Sequence, residues 1–372
     1  MIDLTSLADN FSGIERYAFS IAYELVQRAD DDYILIFKEK IFPAFIDISK
    51  RENVASVVLK RCHKLLFNQI RLPNALRKME ADAFLFPAFP MPVLLGRKNA
   101  VTAIHDISCW DCPETMKFLS RWYFRISYRV AMLKKLTVIT VSDFSKKRIM
   151  DRLGCPEDRI WIVYDGISDT FIRFQEDVFK KQDVRNKYHL PEKYILTLST
   201  LEPRKNIRLL LEAYAELIMQ GSMIVPLVAV GRRGWKIDSL LEDIPEDVKK
   251  NIHFTGFVQD EHLPYIYAGA DFFVFPSKYE GFGLPPLEAM AYGVPVLSSD
   301  AASMPEVLGE AAVYFKSGDK EDLKDKIRLM REIKDEERQR MKEKGKQQVL
   351  KYSWKREAEK LYQKLREQAD RW

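Results

Sequence analysis

The chain has 372 residues, of which 47% are hydrophobic and 30% charged, with a formal net charge of +5. A chain of this length exceeds what one hydrophobic core usually organises, so two domains of about 150 to 200 residues are expected. No apolar run approaches the roughly 18 residues of a membrane-spanning helix. The near balance of 59 basic against 54 acidic residues gives no support for a nucleic-acid partner.

Short β-branched or aromatic runs alternate with helical patterns along the first half of the chain. An early helix is predicted behind residues 12–13, because Ile14, Ala18, Ile21 and Leu25 recur at helical spacing. Strands are predicted at residues 33–37, 55–59, 83–86, 100–104, 137–141 and 161–164. Such alternation is typical of a parallel sheet covered by helices.

The second half shows the same alternation with clearer strands, predicted at residues 194–199, 226–230, 253–255, 272–275, 294–297 and 313–315. Residues 168–187 are polar and unpatterned, as linkers tend to be, so the domain boundary is expected between residues 168 and 190. The charged sequence after residue 320 is interpreted as a solvated helical face that ends in a helix at residues 354–368. The expected fold class is α/β, with two Rossmann-like doubly wound parallel-sheet domains.

The four cysteines are predicted to be reduced thiols. Cys109 and Cys112 are close in sequence, but a structural zinc site needs two more ligands at compatible spacing, which Cys62 and Cys155 do not supply. Residues 1–10 contain two aspartates and lack a basic start and a long apolar stretch, so they do not indicate a signal peptide. A cytoplasmic location is therefore expected.

Basic and aromatic residues are interleaved between residues 121 and 148. The basic ones are Arg121, Arg125, Arg129, Lys134, Lys135, Lys146, Lys147 and Arg148, and the aromatic ones are Trp122, Tyr123, Phe124 and Tyr128. The favoured interpretation is a solvated helix whose aromatic side chains enter the core. The alternative is a contact with the membrane interface, where a lipid-diphosphate acceptor would be presented.

The most informative segment is FFVFPSKYEGFGLPPLEAMAYG at residues 272–293. A buried strand is followed by a glycine-containing loop, a Pro-Pro pair begins a helix, and Gly293 ends it. Open α/β folds bind ligands at the carboxyl edge of the sheet, and a helix start offers N–H groups and a positive dipole end to a phosphate. Glu280 and Glu288 bracket the loop and can accept hydrogen bonds from the hydroxyls of a sugar and of a ribose. The less favoured alternative makes Glu280 a solvated surface acid.

A second candidate anion site follows the strand at residues 194–199. Arg204 and Lys205 are expected at the carboxyl end of this strand, beside a helix for which Asn206 is the predicted N-cap. A diphosphate suits such a pair, because the guanidinium offers a fork of donors and the ammonium a point charge.

These segments resemble the GT4 family of retaining glycosyltransferases, and the likeness covers nearly the whole chain. It is carried by Glu-x7-Glu at 280–288, Glu-Pro-Arg-Lys-Asn at 202–206 and Phe-Thr-Gly-Phe-Val at 254–258, with supporting matches at 12–17, 102–106, 140–145, 163–167, 231–235 and 303–307. The resemblance implies the GT-B fold, with two facing Rossmann-like domains and an interdomain cleft. Residues 1–170 would bind the acceptor, residues 171–350 the nucleotide-sugar donor, and residues 351–372 would form a helix that crosses back to the first domain.

The resemblance also implies roles for individual residues. Arg204 and Lys205 would clamp the donor diphosphate, Glu280 would bind hydroxyls of the donor sugar, and Glu288 would hold the ribose. The other implied donor-binding residues are Gly13, Val258, Phe282, Gly283 and Leu287. No metal and no cofactor are implied, since the substrate is itself a GDP- or UDP-linked sugar. Two departures concern the N-terminus, where the first strand is short and Ser12-Gly13 replaces the two glycines of many relatives.

His105 ends a predicted strand, where functional residues concentrate in such folds. We expect it to face the donor sugar and to orient it rather than to act as a general base, because the family's transfer is commonly pictured as front-face attack in which the departing phosphate accepts the proton. A core histidine is the alternative. Asp106 could orient the imidazole or cap the next turn.

The expected function is retaining, metal-independent transfer of a hexose of mannose or glucose type. The acceptor would be a glycan or a lipid-linked oligosaccharide in polysaccharide or surface-antigen biosynthesis, with the protein in the cytoplasm or peripheral on the inner face of the membrane. One alternative is a GT-B enzyme acting on a small acceptor, as in phosphorylases or sucrose-phosphate synthases. The other is a sugar-nucleotide-binding module without turnover.

Overall fold

The computed structural model describes residues 1–8, 13–63, 66–168, 171, 177–200, 202–222, 225–231 and 241–369. The chain forms two compact units. The first comprises Met1–Gly166 and Ser353–Trp372, and the second comprises Ile167–Tyr352. Among the described residues, no helix is both long and apolar enough to span a lipid bilayer.

The first unit is built on a seven-stranded sheet in the order β3-β2-β1-β4-β5-β6-β7. Its strands are β1 (Ile2–Asp3), β2 (Tyr33–Lys38), β3 (Val54–Leu59), β4 (Phe84–Phe86), β5 (Ala100–Ala103), β6 (Thr137–Thr140) and β7 (Ile160–Ile162), and all of them pair in parallel. The expected short first strand is confirmed, and it lies inside the sheet, where Ile2 pairs with both Leu35 and Leu85.

The helices of the first unit lie between its strands in the sequence, except for one helix that comes from the end of the chain. They are α1 (Gly13–Leu25), α2 (Leu72–Leu76), α3 (Ser108–Asp111), α4 (Phe118–Leu133), α5 (Asp143–Leu153) and, from the end of the chain, α14 (Trp354–Ala369). The predicted early helix is confirmed as α1, which buries Tyr17, Ala18, Ile21 and Leu25. The C-terminal helix α14 packs against α1, and its buried side chains include Leu361.

The second unit is built on a six-stranded parallel sheet in the order β10-β9-β8-β11-β12-β13. Its strands are β8 (Tyr194–Leu198), β9 (Leu227–Val230), β10 (Ile252–Gly256), β11 (Ala270–Phe275), β12 (Val296–Ser299) and β13 (Ala312–Phe315). The numbering reverses between β8 and β11. This is the Rossmann strand order, and its reversal point is where such sheets bind ligands.

The helices of the second unit cover this sheet and include three that are rich in charge. They are α6 (Val178–Lys187), α7 (Ile207–Met219), α8 (Glu246–Lys249), α9 (Leu263–Ala268), α10 (Leu284–Ala291), α11 (Met304–Leu308), α12 (Lys320–Glu332) and α13 (Asp335–Val349). The charged stretch after residue 320 is helical as predicted, but α12 also contributes to the core. Its Leu323, Ile327 and Met330 pack with Leu210 and Phe272.

Three sequence-based expectations about elements were wrong. Residues 178–187 form a helix rather than a linker, with Asp177 capping the N-terminus by accepting from Phe179 N and Lys180 N and with Val184 buried. The boundary of the two units falls at Gly166, ahead of the expected range. The strand expected at 294–297 begins two residues later, because Val294 N still donates to the carbonyl oxygen of Ala289 at the end of α10.

The aromatic residues of α4 divide between the two sides of the helix. Tyr128 is buried, as the solvated-helix interpretation expected, whereas Trp122 is exposed and Tyr123 and Phe124 are half-buried. That interpretation is therefore wrong for Trp122.

The close approach of Gly166 to the start of α14 generates a stability prediction. A Cβ at residue 166 would lie 2.3 Å from the main-chain nitrogen of Trp354 and 2.8 Å from the carbonyl carbon of Ser353. Because backbone must move to admit it, Gly166→Ala is expected to lower the free energy of unfolding by about 2 kcal/mol. Differential scanning calorimetry should then show a melting temperature about 5 °C lower.

Gly96→Ala is the matched control, because a Cβ there would meet nothing within 4 Å. This variant should melt within about 1 °C of the wild type. Equal melting temperatures for Gly166→Ala and Gly96→Ala would contradict the packing of α14 on residue 166.

Candidate functional site

Two loops meet at the point where the strand order of the second sheet reverses. The loop after β8 contains a 3₁₀ turn at Pro203–Lys205, and the loop after the neighbouring strand β11 contains Ser277 and Glu280. The two loops are joined directly. Lys278 N donates to the carbonyl oxygen of Arg204 at 2.9 Å, and Ser277 Oγ lies 3.2 Å from the same oxygen.

Glu280 is the centre of a buried ionic network formed by these loops. Its Oε1 lies 2.5 Å from Lys205 Nζ and accepts from Ser277 Oγ at 2.7 Å, and its Oε2 lies 3.4 Å from Arg204 Nη1. Arg204 also pairs with Glu202 at 3.3 Å. Because Glu280 is 6% exposed, the less favoured alternative, a solvated surface acid, is wrong.

The electrostatics of the network follow from its burial. Burial raises the pKa of Glu280, but the charges of Lys205 and Arg204 and the hydrogen bonds to the carboxylate outweigh it, so the pKa lies below its ordinary value. For Lys205, burial lowers the pKa of the ammonium group. The negative charge of Glu280 opposes this shift but does not cancel it. The carboxylate is therefore the counter-ion that allows two cations to lie together at a sheet edge.

Asn206 occupies the position before α7, as predicted, but its side chain does not cap the helix. An N-cap usually has an extended backbone that brings its side chain to the third residue of the helix. Asn206 instead has a left-handed backbone with φ 55°. Its left-handed turn leads the chain directly from the 3₁₀ turn that carries Arg204 and Lys205 into α7.

Glu288 lies in the second turn of α10 and is buried. Its Oε2 accepts a hydrogen bond of 2.9 Å from the hydroxyl of Tyr267 in α9. The Tyr267 ring in turn stacks on Tyr292, with ring centroids 5.4 Å apart and an interplanar angle of 18°. A rigid aromatic pair therefore fixes the position of this carboxyl group.

The glycine-containing loop between Glu280 and Glu288 is fixed by hydrogen bonding to Ser303, the residue that precedes α11. Ser303 Oγ lies 3.1 and 3.0 Å from the carbonyl oxygens of Glu280 and Phe282, so its one hydrogen is shared between the two acceptors. Gly283 has φ 101°, and a Cβ there would lie 2.3 Å from Met304 Cε, so only glycine fits. Leu287 is fully buried, which places its side chain in the core in this conformation.

In the first unit, His105 follows β5 and lies beside the end of β4. Its Nε2 donates to the carbonyl oxygen of Pro87 at 2.9 Å, and the edge of the ring meets Tyr17 with centroids 4.8 Å apart. Burial lowers its pKa, so the imidazole is neutral near pH 7. Asp106 Oδ1 accepts from Ser108 N at 2.9 Å, so Asp106 caps the next turn.

The sequence models of two families match consecutive parts of the chain. Glycosyltransferase Family 4 matches residues 11–171, and Glycosyl transferases group 1 matches residues 179–348. The chain belongs to glycosyltransferase family 4.

Curated proteins and solved structures agree with this membership. The chain is 36% identical over 326 residues to O-antigen chain mannosyltransferase B of Escherichia coli, covering 83% of this chain and 84% of that protein. Anabaena HepE, solved with UDP and glucose, superposes with a TM-score of 0.73 at 17% identity over 98% of this chain and 99% of HepE. Sucrose-phosphate synthase of Thermosynechococcus elongatus superposes with a TM-score of 0.74 at 18% identity, over 96% and 93% of the two chains. The two Rossmann-like units of this glycosyltransferase are those of the GT-B fold.

The structure brings only part of the glycosyltransferase's predicted site into direct contact. Arg204, Lys205 and Glu280 share one network, and Glu288 has a separate partner in Tyr267. Val258, buried after β10, also belongs to the second unit. Gly13, the exposed first residue of α1, and His105 belong to the first unit.

Sequence reasoning missed several residues that position this site. Ser277 could have been noticed, because it lies three residues before Glu280 at the end of a strand, and Ser303 opens one of the family-like segments. Tyr267 carries no such signal, since nothing in the sequence relates it to Glu288. Asp165, in the first unit, was also missed. Burial raises the pKa of its carboxyl group to about 8, against the opposing charge of Arg16.

Removing the Glu280 charge should destabilise the glycosyltransferase in a pH-dependent manner. Glu280→Gln leaves Lys205 and Arg204 as partly buried cations without their shared counter-ion, so the free energy of unfolding is expected to fall by about 3 kcal/mol at pH 7. The pKa of Glu280 in the folded protein is below its ordinary value of 4.5. Its stabilisation is therefore complete above that value and is lost as the pH falls through the folded pKa. Thermal melts between pH 7 and pH 4 should show that the difference in melting temperature between Glu280→Gln and the wild type narrows only at the acidic end.

Glu202→Gln is the control, because Glu202 contacts Arg204 at 3.3 Å and is about one-third exposed. This substitution should lower the free energy of unfolding by less than about 1 kcal/mol. If Glu280→Gln is no more costly than this control at pH 7, the buried network does not stabilise the fold.

Proposed function

We propose that this glycosyltransferase moves a mannosyl group from a nucleotide diphosphate sugar to a glycan or lipid-linked acceptor, with retention of configuration and without a metal ion. The observation that carries the proposal is the pairing of Arg204 and Lys205 at the reversal point of the second sheet. The name of the 36% identical relative, an O-antigen chain mannosyltransferase, supports mannose and a surface polysaccharide.

The two cations would stabilise the leaving diphosphate. Breaking the bond between the sugar and the diphosphate develops negative charge on the phosphate oxygens, and preorganised cations stabilise that charge most effectively where water is excluded. Two fixed positive charges supply what a bound divalent ion supplies elsewhere. Before the donor binds, the two cations share the single negative charge of Glu280, and Glu202 supplies a second carboxylate beside Arg204, which keeps the cations in place at a partly buried sheet edge.

Glu280 is also proposed to bind hydroxyls of the donor sugar, because each carboxylate oxygen can accept more than one hydrogen bond. The main-chain amides of Phe282 and Gly283 would contact the same sugar. Glu288 would accept from the ribose hydroxyls, and Val258 would lie against the base. Leu287 is assigned only to the wall behind these groups, since its side chain is buried.

In the first unit, His105 is proposed to orient the sugar near the reacting carbon, and Gly13 to approach the phosphates or the acceptor. A neutral imidazole whose Nε2 hydrogen is already donated to Pro87 is poorly suited to receive a proton at that nitrogen. The departing phosphate oxygen would instead accept the proton of the attacking hydroxyl. Transfer is proposed at the cytoplasmic side of a membrane, where a lipid-linked acceptor would be available.

A thermal-shift panel with UDP, GDP, ADP, CMP and dTDP, with and without EDTA, tests the donor site. A ligand that binds only the folded protein stabilises it by mass action and so raises the melting temperature. At a ligand concentration a hundredfold above Kd, the free energy of unfolding rises by about 2.7 kcal/mol. GDP is expected to stabilise the wild type equally with and without EDTA. Arg204→Ala should abolish the shift and lower turnover of GDP-mannose about a hundredfold. The anomeric configuration of the product, measured by NMR, should match that of the donor.

His105→Ala should retain the GDP-induced shift but lose turnover, because its proposed contact is with the sugar and not the nucleotide. Loss of the shift on adding EDTA would contradict metal independence, and an inverted product would contradict retention. No shift with any nucleotide and no sugar-nucleotide turnover would overturn the donor assignment. Turnover that requires free phosphate would indicate a phosphorylase instead.

Tyr267→Phe should weaken donor binding without slowing chemistry. The substitution removes the hydroxyl that holds Glu288 Oε2 and leaves the ring stack with Tyr292 intact. A hydrogen bond to a carboxylate contributes about 1.5 to 3 kcal/mol, so KM for the donor should rise about tenfold or more. Because the ribose is remote from the reacting bond, kcat should stay within about twofold of wild type.

Tyr214→Phe is the matched control. It removes another buried phenol of the second unit, whose hydroxyl donates to the carbonyl oxygen of Val225 at 2.9 Å. Stability should fall in both variants, but KM should rise only in Tyr267→Phe. An equal KM in the two variants would show that Tyr267 does not position Glu288 for the donor.

A further inference from the structure

One side of α4 carries a row of exposed apolar side chains that no core of the first unit covers. Phe118, Leu119, Trp122, Ile126 and Leu133 are all exposed, with 81% of Leu119 and 82% of Leu133 accessible to solvent. At 100° per residue these five side chains fall within an arc of about 100° around the helix. The opposite side of the helix faces the core through Ser127, Tyr128 and Ala131. We call the exposed row and its flanking arginines the α4 face.

The charge of the α4 face has a single sign. Arg121, Arg125 and Arg129 are spaced by four residues, so they line one edge of the apolar row. Residues 117–135 contain six basic side chains, these three with Lys117, Lys134 and Lys135, and no Asp or Glu. Arg125 Nε donates to the carbonyl oxygen of Cys109 at 2.7 Å and its guanidinium lies 5.8 Å from the Trp122 ring centroid, while that of Arg121 lies 5.4 Å from the ring centroid of Phe118.

A neighbouring loop carries a further exposed leucine, Leu94, and is bonded to the C-terminal end of α4. Lys134 Nζ donates to the carbonyl oxygens of Val93 and Leu95 at 2.5 and 2.6 Å. These two bonds hold the loop of the exposed Leu94 near the C-terminal end of α4.

Two basic residues farther along the chain, Lys146 and Arg148, are paired with acidic side chains of the protein. Arg148 is held by Asp111 through two hydrogen bonds of 2.8 and 2.7 Å, and Lys146 pairs with Glu157 at 2.8 Å. Their charges are neutralised by the protein itself. Residues 117–135, by contrast, contain no acidic side chain that could pair with their basic ones.

We propose that the α4 face docks this protein onto the surface of an anionic lipid bilayer. An interfacial helix inserts its apolar side chains at the boundary of the head groups while flanking arginines contact lipid phosphates. Tryptophan suits that boundary because its ring is apolar and its N–H is polar. The apolar row and the uniform positive charge are the two features that such a surface attracts together.

The alternative occupant, a second copy of the chain, fits this surface less well. A two-fold symmetric contact would place the same patch against itself. Arg121, Arg125 and Arg129 would then face their own copies with no acidic residue between positions 117 and 135 to compensate. Like charges at close range oppose such a contact, whereas phosphate head groups neutralise them.

Co-sedimentation of the full-length protein with phospholipid vesicles tests this proposal. Wild type should bind vesicles that contain phosphatidylglycerol and should bind pure phosphatidylcholine much less. Leu119→Ser with Leu133→Ser removes two apolar side chains that contribute little to the fold, and should weaken binding about tenfold or more. Arg129→Glu with Lys135→Glu should weaken it to a similar extent and reduce its salt dependence. Trp122→Phe should remove most of the vesicle-induced change in tryptophan emission.

Two matched double variants control for general effects. Phe179→Ser with Leu350→Ser removes exposed apolar side chains of the second unit, and Lys355→Glu with Arg356→Glu reverses exposed charges on α14. Both should bind vesicles as the wild type does. All of these variants should keep the nucleotide-induced thermal shift of the wild type, so failure of docking and failure of the donor assignment are separately visible.

Equal binding to both kinds of vesicle, or no binding to either, would overturn the proposal. So would unchanged binding after the α4 substitutions. A wild-type dimer in gel filtration that dissociates on Leu119→Ser with Leu133→Ser, with vesicle binding unaltered, would assign the face to self-association instead.

Discussion

A single buried carboxylate, that of Glu280, allows two cations to lie side by side at the carboxyl edge of the second sheet. Without it, Arg204 and Lys205 would repel each other in a place where water is largely excluded. The surrounding elements serve this arrangement. Ser277 donates to the carboxylate, Lys278 N donates to the loop of the cations, Ser303 fixes the main chain of the glycine loop, and Asn206 turns the chain from the cations into α7. The donor chemistry that we propose uses charges whose positions are already set before any ligand binds.

Both units of this glycosyltransferase use the same device, the reversal of strand order in a parallel sheet. In the second unit the reversal lies between β8 and β11, and the loops after these strands carry the ionic network. In the first unit it lies between β1 and β4, and His105 bonds to Pro87 just after β4. The two sites differ in character, because one concentrates charge and the other a neutral imidazole bounded by Tyr17.

The α4 helix shows how one element serves packing on one side and remains available on the other. Tyr128 and Ala131 complete the core of the first unit, while Leu119 and Leu133 extend away from it. A helix that only needed to cover the sheet would carry polar residues on its outer side. The outer apolar row with an edge of arginines matches an anionic bilayer surface.

The local patterns of the sequence determined most of the fold. Buried β-branched runs gave nearly all strands within two residues, because central parallel strands are apolar on both faces, and the motif around residues 202–206 and 280–288 located the cations and carboxylates. The sequence failed at residues 178–187, where a charged helix buries little more than Val184 and has almost no periodic signal. Only the tertiary structure decided that Glu280 pairs with both cations, that Tyr267 holds Glu288, and that Trp122 faces outward while Tyr128 faces inward. These facts depend on contacts between segments far apart in the chain, or on which side of a helix the core lies, and neither is encoded in local spacing.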